Sequence, residues 1–372
     1  MTPTPRRIHK RELLEVVADM PEIETFDPAR ANEADLLILV LGFEDRTLAT
    51  LDALVESGCM VASVAVIEYA TNQGDNILNL APMKERLKEI CNAEPTMLQA
   101  GQGLAHSLRG LLSLEGTGKR VVFDLSVASN DVTIEAVGAL LDCDICLTLL
   151  YAEAAEYRPA REEFESERGR FLASGEMGLD DGVLDVAVAG ENNGAPSPNL
   201  PDSLIIFPGF SRDRVRAIIS QVNSDWIVAP EFASLTWMVG LPPHRDLLWR
   251  REALYEIHEI KNEQGVEAHD VSTFDYRETL RSLDEAYASQ DYESNLTIAA
   301  LGSKMQALGI ALFGRACPDV SVYLARPRVY NAGSYTRGVR SLWQIPLGTC
   351  LELSDALRSV GTLELLEIES DE

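Results

Sequence analysis

Basic residues are scarce in this chain. Its 372 residues carry 32 Lys and Arg against 59 Asp and Glu, a formal charge of −27. Nucleic-acid backbones and anionic membranes are held by basic surface, so neither duplex nucleic acid nor a membrane is expected as a partner. Histidine is rarer still. None of the five (His9, His106, His244, His258, His269) falls in an H-E-x-x-H or comparable spacing. The six cysteines are scattered, which excludes a secreted disulfide scaffold. Cys143 and Cys146 form a lone C-x-x-C within a strand-like run, with no second pair at zinc spacing, so buried thiols are expected and no metal site. A Walker loop and a G-x-S-x-G elbow are also missing, and no bound cofactor is expected. No apolar run approaches the roughly 20 residues of a membrane span, and the N-terminus is polar, so a cytoplasmic protein is expected. Aromatics make up only 6%, which leaves aliphatic side chains to fill the cores.

What is present is a regular alternation. With 46% hydrophobic residues the chain can bury two domain cores. Leu36–Leu41 is uniformly apolar, as a parallel strand covered on both faces requires. Helical spacing follows at Leu48, Leu51, Leu54 and Val55. Further strands are expected at 61–67, 121–125 and 144–151, with helices between them. The pattern restarts at Leu204–Phe207, with a second strand at Trp226–Ala229 and later ones near 266–271, 296–301 and 320–324. Strands alternating with helices predict an α/β protein of two tandem Rossmann-like domains with mainly parallel sheets. The expected boundaries are a leader at 1–34, domain one at 35–165, a Gly/Asp/Asn/Pro-rich linker at 166–202, domain two at 203–350 and an acidic tail at 351–372.

The halves correspond in order. Gly42-Phe43-Glu44-Asp45-Arg46 after the first strand matches Gly209-Phe210-Ser211-Arg212-Asp213-Arg214, with one extra residue in the second copy. Phe123-Asp124-Leu125-Ser126 matches Leu296-Thr297-Ile298-Ala299, at separations that agree within a few residues. An internal duplication explains this, against the bland reading that all α/β domains share one grammar. Each pair places two strand-end loops together at the carboxyl edge of a sheet, where such folds bind ligands. Two copies would bring two such edges together around a shared pocket.

Gly302-Ser303-Lys304 is the sharpest local feature. Gly302 fits a strand-to-helix turn needing positive φ, and Ser303 is a good N-cap. Lys304 adds a cation where helical amides already favour an anion; the plainer reading is a solvated lysine on an ordinary turn. Ser211, Arg212 and Arg214 add hydroxyl and guanidinium groups suited to phosphate. From the first copy, Asp45, Arg46, Asp124, Ser126 and Asn130 offer groups suited to ribose or base edges. Asp124 could also serve as a general base or nucleophile, though an N-capping or ribose-binding carboxylate is the commoner role, and Glu44 carries the same ambiguity. Residues 326–340 are the most basic stretch, with Arg328, Tyr330 and Arg337 among them. They read either as a nucleotide-gripping loop or as a surface loop whose arginines pair with the abundant carboxylates.

Asn295-Leu296-Thr297 followed by Gly302-Ser303-Lys304-Met305 resembles the signature of CRISPR-associated Rossmann-fold (CARF) sensor domains, and the related SAVED sensors are tandem fusions of two such domains. Gly302, Ser303 and Lys304 match that family's turn residue by residue. The usual Gly-Gly doublet is Leu301-Gly302 here, and the first copy has Ser129-Asn130-Asp131 without a lysine. The resemblance implies binding of cyclic or linear oligonucleotide second messengers in antiviral signalling. The expected function is therefore a sensor or regulatory protein that holds a nucleotide-derived anion between its domains, shifts their angle and controls a separate effector protein. Self-association into a homo-oligomer stays open. The alternatives are a nucleotide hydrolase or glycosidase using Asp124 or Glu44, and an acidic scaffold or inhibitor subunit of a defence complex.

Overall fold

A computed structural model describes residues 5–8, 12–32, 34–70, 73–222, 234–261, 266–289, 294–360 and 362–365. The chain opens with β1 (Pro5–Ile8), α1 (Leu13–Asp19), β2 (Glu24–Thr25) and α2 (Pro28–Ala31). The first α/β unit is β3 (Leu36–Leu41), α3 (Ala49–Glu56), β4 (Ser63–Glu68), α4 (Gln73–Ile90), β5 (Thr96–Gln99), α5 (Leu104–Glu115), β6 (Lys119–Asp124), α6 (Asn130–Leu140) and β7 (Ile145–Tyr157). Then come α7 (Arg161–Ser174) and β8 (Asp180–Asn193). The second unit is β9 (Asp202–Phe207), α8 (Arg212–Val222), β10 (Ser234–Leu241), α9 (Trp249–His258), β11 (Val266–Ser272), α10 (Tyr276–Ala288), β12 (Asn295–Ala300), α11 (Lys304–Ala316) and β13 (Ser321–Tyr330). β14 (Thr336–Thr349), α12 (Cys350–Arg358) and β15 (Thr362–Leu365) close the chain.

Each unit builds a parallel sheet of the same order. The first runs β5-β4-β3-β6-β7 and the second β11-β10-β9-β12-β13. Counted within its unit, each is the 3-2-1-4-5 order of a Rossmann-like sheet. The paired loops identified in the sequence follow the first and fourth strands, which are neighbours in both sheets. The fold is thus α/β and duplicated, as the sequence predicts. All six residues of β3 are buried, the mark of a strand covered on both faces.

The units exchange their last strands. β8 leaves the first unit and pairs antiparallel with β13 of the second sheet, while β14 leaves the second and pairs antiparallel with β7 of the first. The exchange is reciprocal in register. Thr336 stands opposite Tyr157, and Asp180 stands opposite Tyr330. The following residues repeat the match: Arg158 N donates to Tyr335 O at 2.8 Å and Asn331 N donates to Leu179 O at 2.9 Å.

This exchange corrects the expected boundaries. The stretch 166–202 is no linker, since it holds the end of α7 and all of β8. Domain two cannot extend to 350, because β14 belongs to the first sheet. The tail is structured where described, with α12 burying Cys350 and Leu357 in the main core. Residues 1–34 are more than a leader. α1 buries Leu13, Val16 and Val17, and Tyr276 Oη of α10 donates to Pro21 O at 2.6 Å. The strand expected at Trp226–Ala229 lies outside the described residues; β10 is the second strand of its sheet. Cys146 is exposed and not buried as expected.

One apolar core joins the copies. Phe123 and Leu140 of the first unit belong to the same buried cluster as Ile298, Leu308 and Phe313 of the second. α6 and α11 meet there, and α11 is buried on nearly every side, which is why its sequence is apolar all round.

Candidate functional site

The carboxyl edges of the two parallel sheets face each other across a cleft of about 360 Å³. The first copy supplies the loops after β3 and β6 and the end of β7. The second supplies the loops after β9, β10 and β12 and the end of β13. Both strand-order reversals therefore open into one space.

Two equivalent arginines brace its walls. Arg46 donates to Ala152 O on β7 at 3.0 Å, and Arg214 donates to Ala325 O on β13 at 2.8 Å. Each also pairs with a carboxylate, Arg46 with Glu44 at 3.0 Å and Arg214 with Asp180 at 2.8 Å. The exchanged strands complete both sets. Thr336, at the start of β14, donates to Glu44, and Asp180 starts β8. Burial pushes Glu44 up, but the charges of Arg46 and Lys304 and the hydrogen bonds from Arg46 and Thr336 outweigh it, so its net shift is downward.

The N-termini of α6 and α11 meet at the cleft floor. Ser129 and Ser303 cap them through their hydroxyls. The next residues cross to the opposite copy: Asn130 Nδ2 donates to Gly302 O at 2.9 Å and to Ala300 O at 3.1 Å, and Lys304 Nζ donates to Ala128 O at 2.9 Å. Gly302 is needed for a reason other than the one expected. Its φ is not positive; a Cβ there would lie 2.2 Å from Gln306 Oε1. Gln306 Oε1 accepts from Ser303 N at 2.8 Å, closing a capping box. That bond occupies an amide that a phosphate cradle would have used. Gly302→Ala is expected to break the box and cost about 1–2 kcal/mol, read as a lowered denaturant midpoint.

Arg46, Asn130, Ser211, Arg214, Gly302, Ser303, Lys304 and Tyr330 line the cleft, as the sequence suggests. Six other candidates do not. Asp124 is turned inward to accept from Ser126 N at 2.8 Å and from the Ser126 hydroxyl, and Ser126 Oγ accepts from Ala152 N at 2.7 Å. Both are buried braces between β6 and β7, and burial raises the Asp124 carboxyl despite these bonds. Asp124→Ala is expected to cost about 1–3 kcal/mol of stability while leaving the cleft's ligand affinity within twofold by calorimetry. Asp45 is exposed and accepts from Gly338 N at 3.3 Å. Arg212 turns away to Ile257 O at 2.6 Å and Leu172 O at 3.3 Å. Arg328 and Arg337 are exposed on β13 and β14, so the basic stretch is two strand ends and not a gripping loop. Its other arginines pair with carboxylates, Arg326 with Asp185 at 2.8 Å and Arg340 with Asp246 at 3.5 Å.

Two groups lie outside the sequence candidates: His244, which reads from sequence as a structural or solvated loop histidine, and Arg250. His244 Nε2 lies 2.5 Å from Glu153 Oε1, linking a second-copy loop to β7, and Trp343 Nε1 donates to Glu153 Oε2 at 3.0 Å. Arg250 lines the cleft from the first turn of α9. Its guanidinium lies 4.5 Å from the Phe210 ring centre and 5.9 Å from that of Tyr157. Its polar contacts are backbone carbonyls, Arg158 O and Pro159 O, at 3.3–3.4 Å.

No family model and no curated protein matches this chain. Solved structures give faint likenesses. The cytoplasmic domain of a prokaryotic cation chloride cotransporter is 12% identical, with 81% of this chain and 96% of that one covered and a TM-score of 0.25. A universal stress protein from Pseudomonas aeruginosa is 9% identical over 89% of this chain and 99% of that one, at a TM-score of 0.24. One from Archaeoglobus fulgidus is 10% identical over 80% and 97%, at 0.19.

The cleft's charge is uneven. Of its six lysines and arginines, four are neutralised: Arg46 by Glu44, Arg158 by Glu163, Arg214 by Asp180 and Arg326 by Asp185. Lys304 and Arg250 have no carboxylate at ion-pair distance among the described residues. Burial first, then Arg46, pushes Lys304 down to about 8, against the pull of Glu44 and Asp124. Burial lowers Arg250 to about 10.

Proposed function

We propose that this chain is a regulatory protein that binds a nucleotide-derived anion between its two Rossmann-like units and passes the signal to a separate effector. One observation carries the reading. A protein with a large acid excess keeps two half-buried cations unneutralised in the cleft between its sheet edges. A desolvated cation without a counter-charge is costly, and an anionic ligand would remove that cost. The aromatic group Phe43, Tyr330 and Tyr335, with ring centres 5.5–6.4 Å apart, gives the same space apolar surface for a base. The copies share one apolar core, which favours a signal carried by the rim loops and exchanged strands over a large change of domain angle. A place in antiviral defence has the Gly302-Ser303-Lys304 resemblance as its support.

Mass spectrometry of ligand released from freshly purified protein tests the reading. A phosphate-bearing nucleotide at near one equivalent is expected. Protein that carries none, and binds none at millimolar concentration, would end the proposal.

A second reading has one specific observation in its favour. The hydrogen-bonded Glu153–His244 pair lines the cleft, and such a pair can serve as a general base. Turnover of a bound nucleotide, abolished by His244→Ala with unchanged binding, would select this hydrolase reading. Asp124, buried outside the cleft, is not its base.

A further inference from the structure

The duplicated frame makes an asymmetry measurable residue by residue. Arg46 and Arg214 are equivalent, and both are neutralised. Tyr157 and Tyr330 are equivalent by register. Ser129 and Ser303 cap equivalent helices. Against this matched background the unneutralised charge comes wholly from second-copy residues, and both heads reach across to first-copy carbonyls, Lys304 to Ala128 O and Arg250 to Arg158 O and Pro159 O. Lys304 of the second copy answers to Asn130 of the first, whose amide is tied to Gly302 O and Ala300 O. Arg250, beyond the second strand of the second copy, has no counterpart, since the first copy has no Lys or Arg between Arg46 and Lys84. The first copy instead offers Tyr69, whose hydroxyl is engaged by Ser129 N at 2.6 Å and Val127 O at 3.3 Å.

From this we infer that the ligand is one-ended: a linear nucleotide whose terminal phosphates sit against Lys304 and Arg250, with its uncharged part away from them. The inference rests on the anion-binding reading above and narrows it. A ligand with its own twofold axis presents equal charge to both equivalent positions, and half of that charge would meet the tied amide of Asn130 and the engaged hydroxyl of Tyr69 without a free cation. A cleft of about 360 Å³ also lies at the small end of the roughly 300–1,000 Å³ common for small-molecule sites. That suits a single nucleotide better than a ring of several. Lys304 keeps donors for the phosphate, because an ammonium has three and the Ala128 carbonyl takes one. Arg250 lies against Phe210 and Tyr157, which limits its rotamers and reduces the entropy lost when it grips.

Calorimetry on the full chain with two probes, ATP and cyclic di-AMP, tests this. ATP is expected to bind at one site per chain and at least about tenfold more tightly than cyclic di-AMP. Lys304→Met and Arg250→Met should each weaken ATP by about tenfold or more, the scale of a charge-assisted bond. Arg250→Lys guards against a packing effect and should recover part of the loss, with melting temperatures confirming that all variants fold. Cyclic di-AMP binding as tightly as ATP, or more so, overturns the one-ended ligand and leaves the anion site standing. Failure of both probes to bind overturns the inference and the reading beneath it together.

Discussion

Lys304→Met is expected to weaken nucleotide binding at pH 7 by one to two orders of magnitude, with ATP as the probe. The ammonium is half-buried, faces the cleft and has no carboxylate within ion-pair distance among the described residues. A bound phosphate would supply its missing charge, and hydrogen bonds to charged groups contribute about 1.5–3 kcal/mol. The same lysine sets a pH dependence. Its folded value lies near 8, below the ordinary lysine value of 10.5, so the charge is present at pH 7 and lost as pH rises through about 8. Affinity should therefore be level below about pH 7 and fall above pH 8, and Lys304→Met should abolish the fall. The stability effect has the opposite sign. The unfolded chain holds this proton more tightly, so raising pH from about 8 to 10.5 relieves a penalty on the folded state. A pH series of calorimetric titrations, paired with denaturant melts, separates the two trends.

The second large effect is expected in the common apolar core. Phe313 of α11 is fully buried and meets the Tyr287 ring edge-on at 6.3 Å, in the core that both units share. Phe313→Ala should cost about 3–5 kcal/mol. Because the core is common, both copies should unfold in one transition in wild type and variant alike. Scanning calorimetry reads both points. Two separated transitions in the wild type would show that the units are independent.

Much of the fold is legible because its strands announce themselves locally. Leu36–Leu41 and Leu204–Phe207 are apolar on both faces, and their loops repeat Gly-Phe and Asp-Arg. β8 and β14 are not legible for a physical reason. They run antiparallel at the outer side of the parallel strands, carry Gly, Asp, Asn and Arg, and leave many side chains to solvent. Their partners also lie in the opposite half, so no local pattern records the pairing.

The site shows the same limit at single-residue scale. Arg212 and Arg214 are both basic and two positions apart on α8. One turns to Ile257 O and the other lines the cleft, and composition cannot choose between them. Arg250 and Arg251 differ likewise: Arg251 pairs with Asp270 at 2.7 Å, while Arg250 enters the cleft. Lys304 could be singled out because it follows a glycine and a capping serine at a strand end. Glu153 gave no such signal, because its role depends on His244 and Trp343 arriving from distant parts of the chain.

Hydrogen–deuterium exchange with and without saturating ATP tests the facing sheet edges most directly. The account predicts slowed exchange in rim segments of both copies at once, at 42–47 and 127–131 in the first and at 208–214, 242–250 and 301–306 in the second. Slowing confined to one copy, or to helices far from these loops, would contradict it.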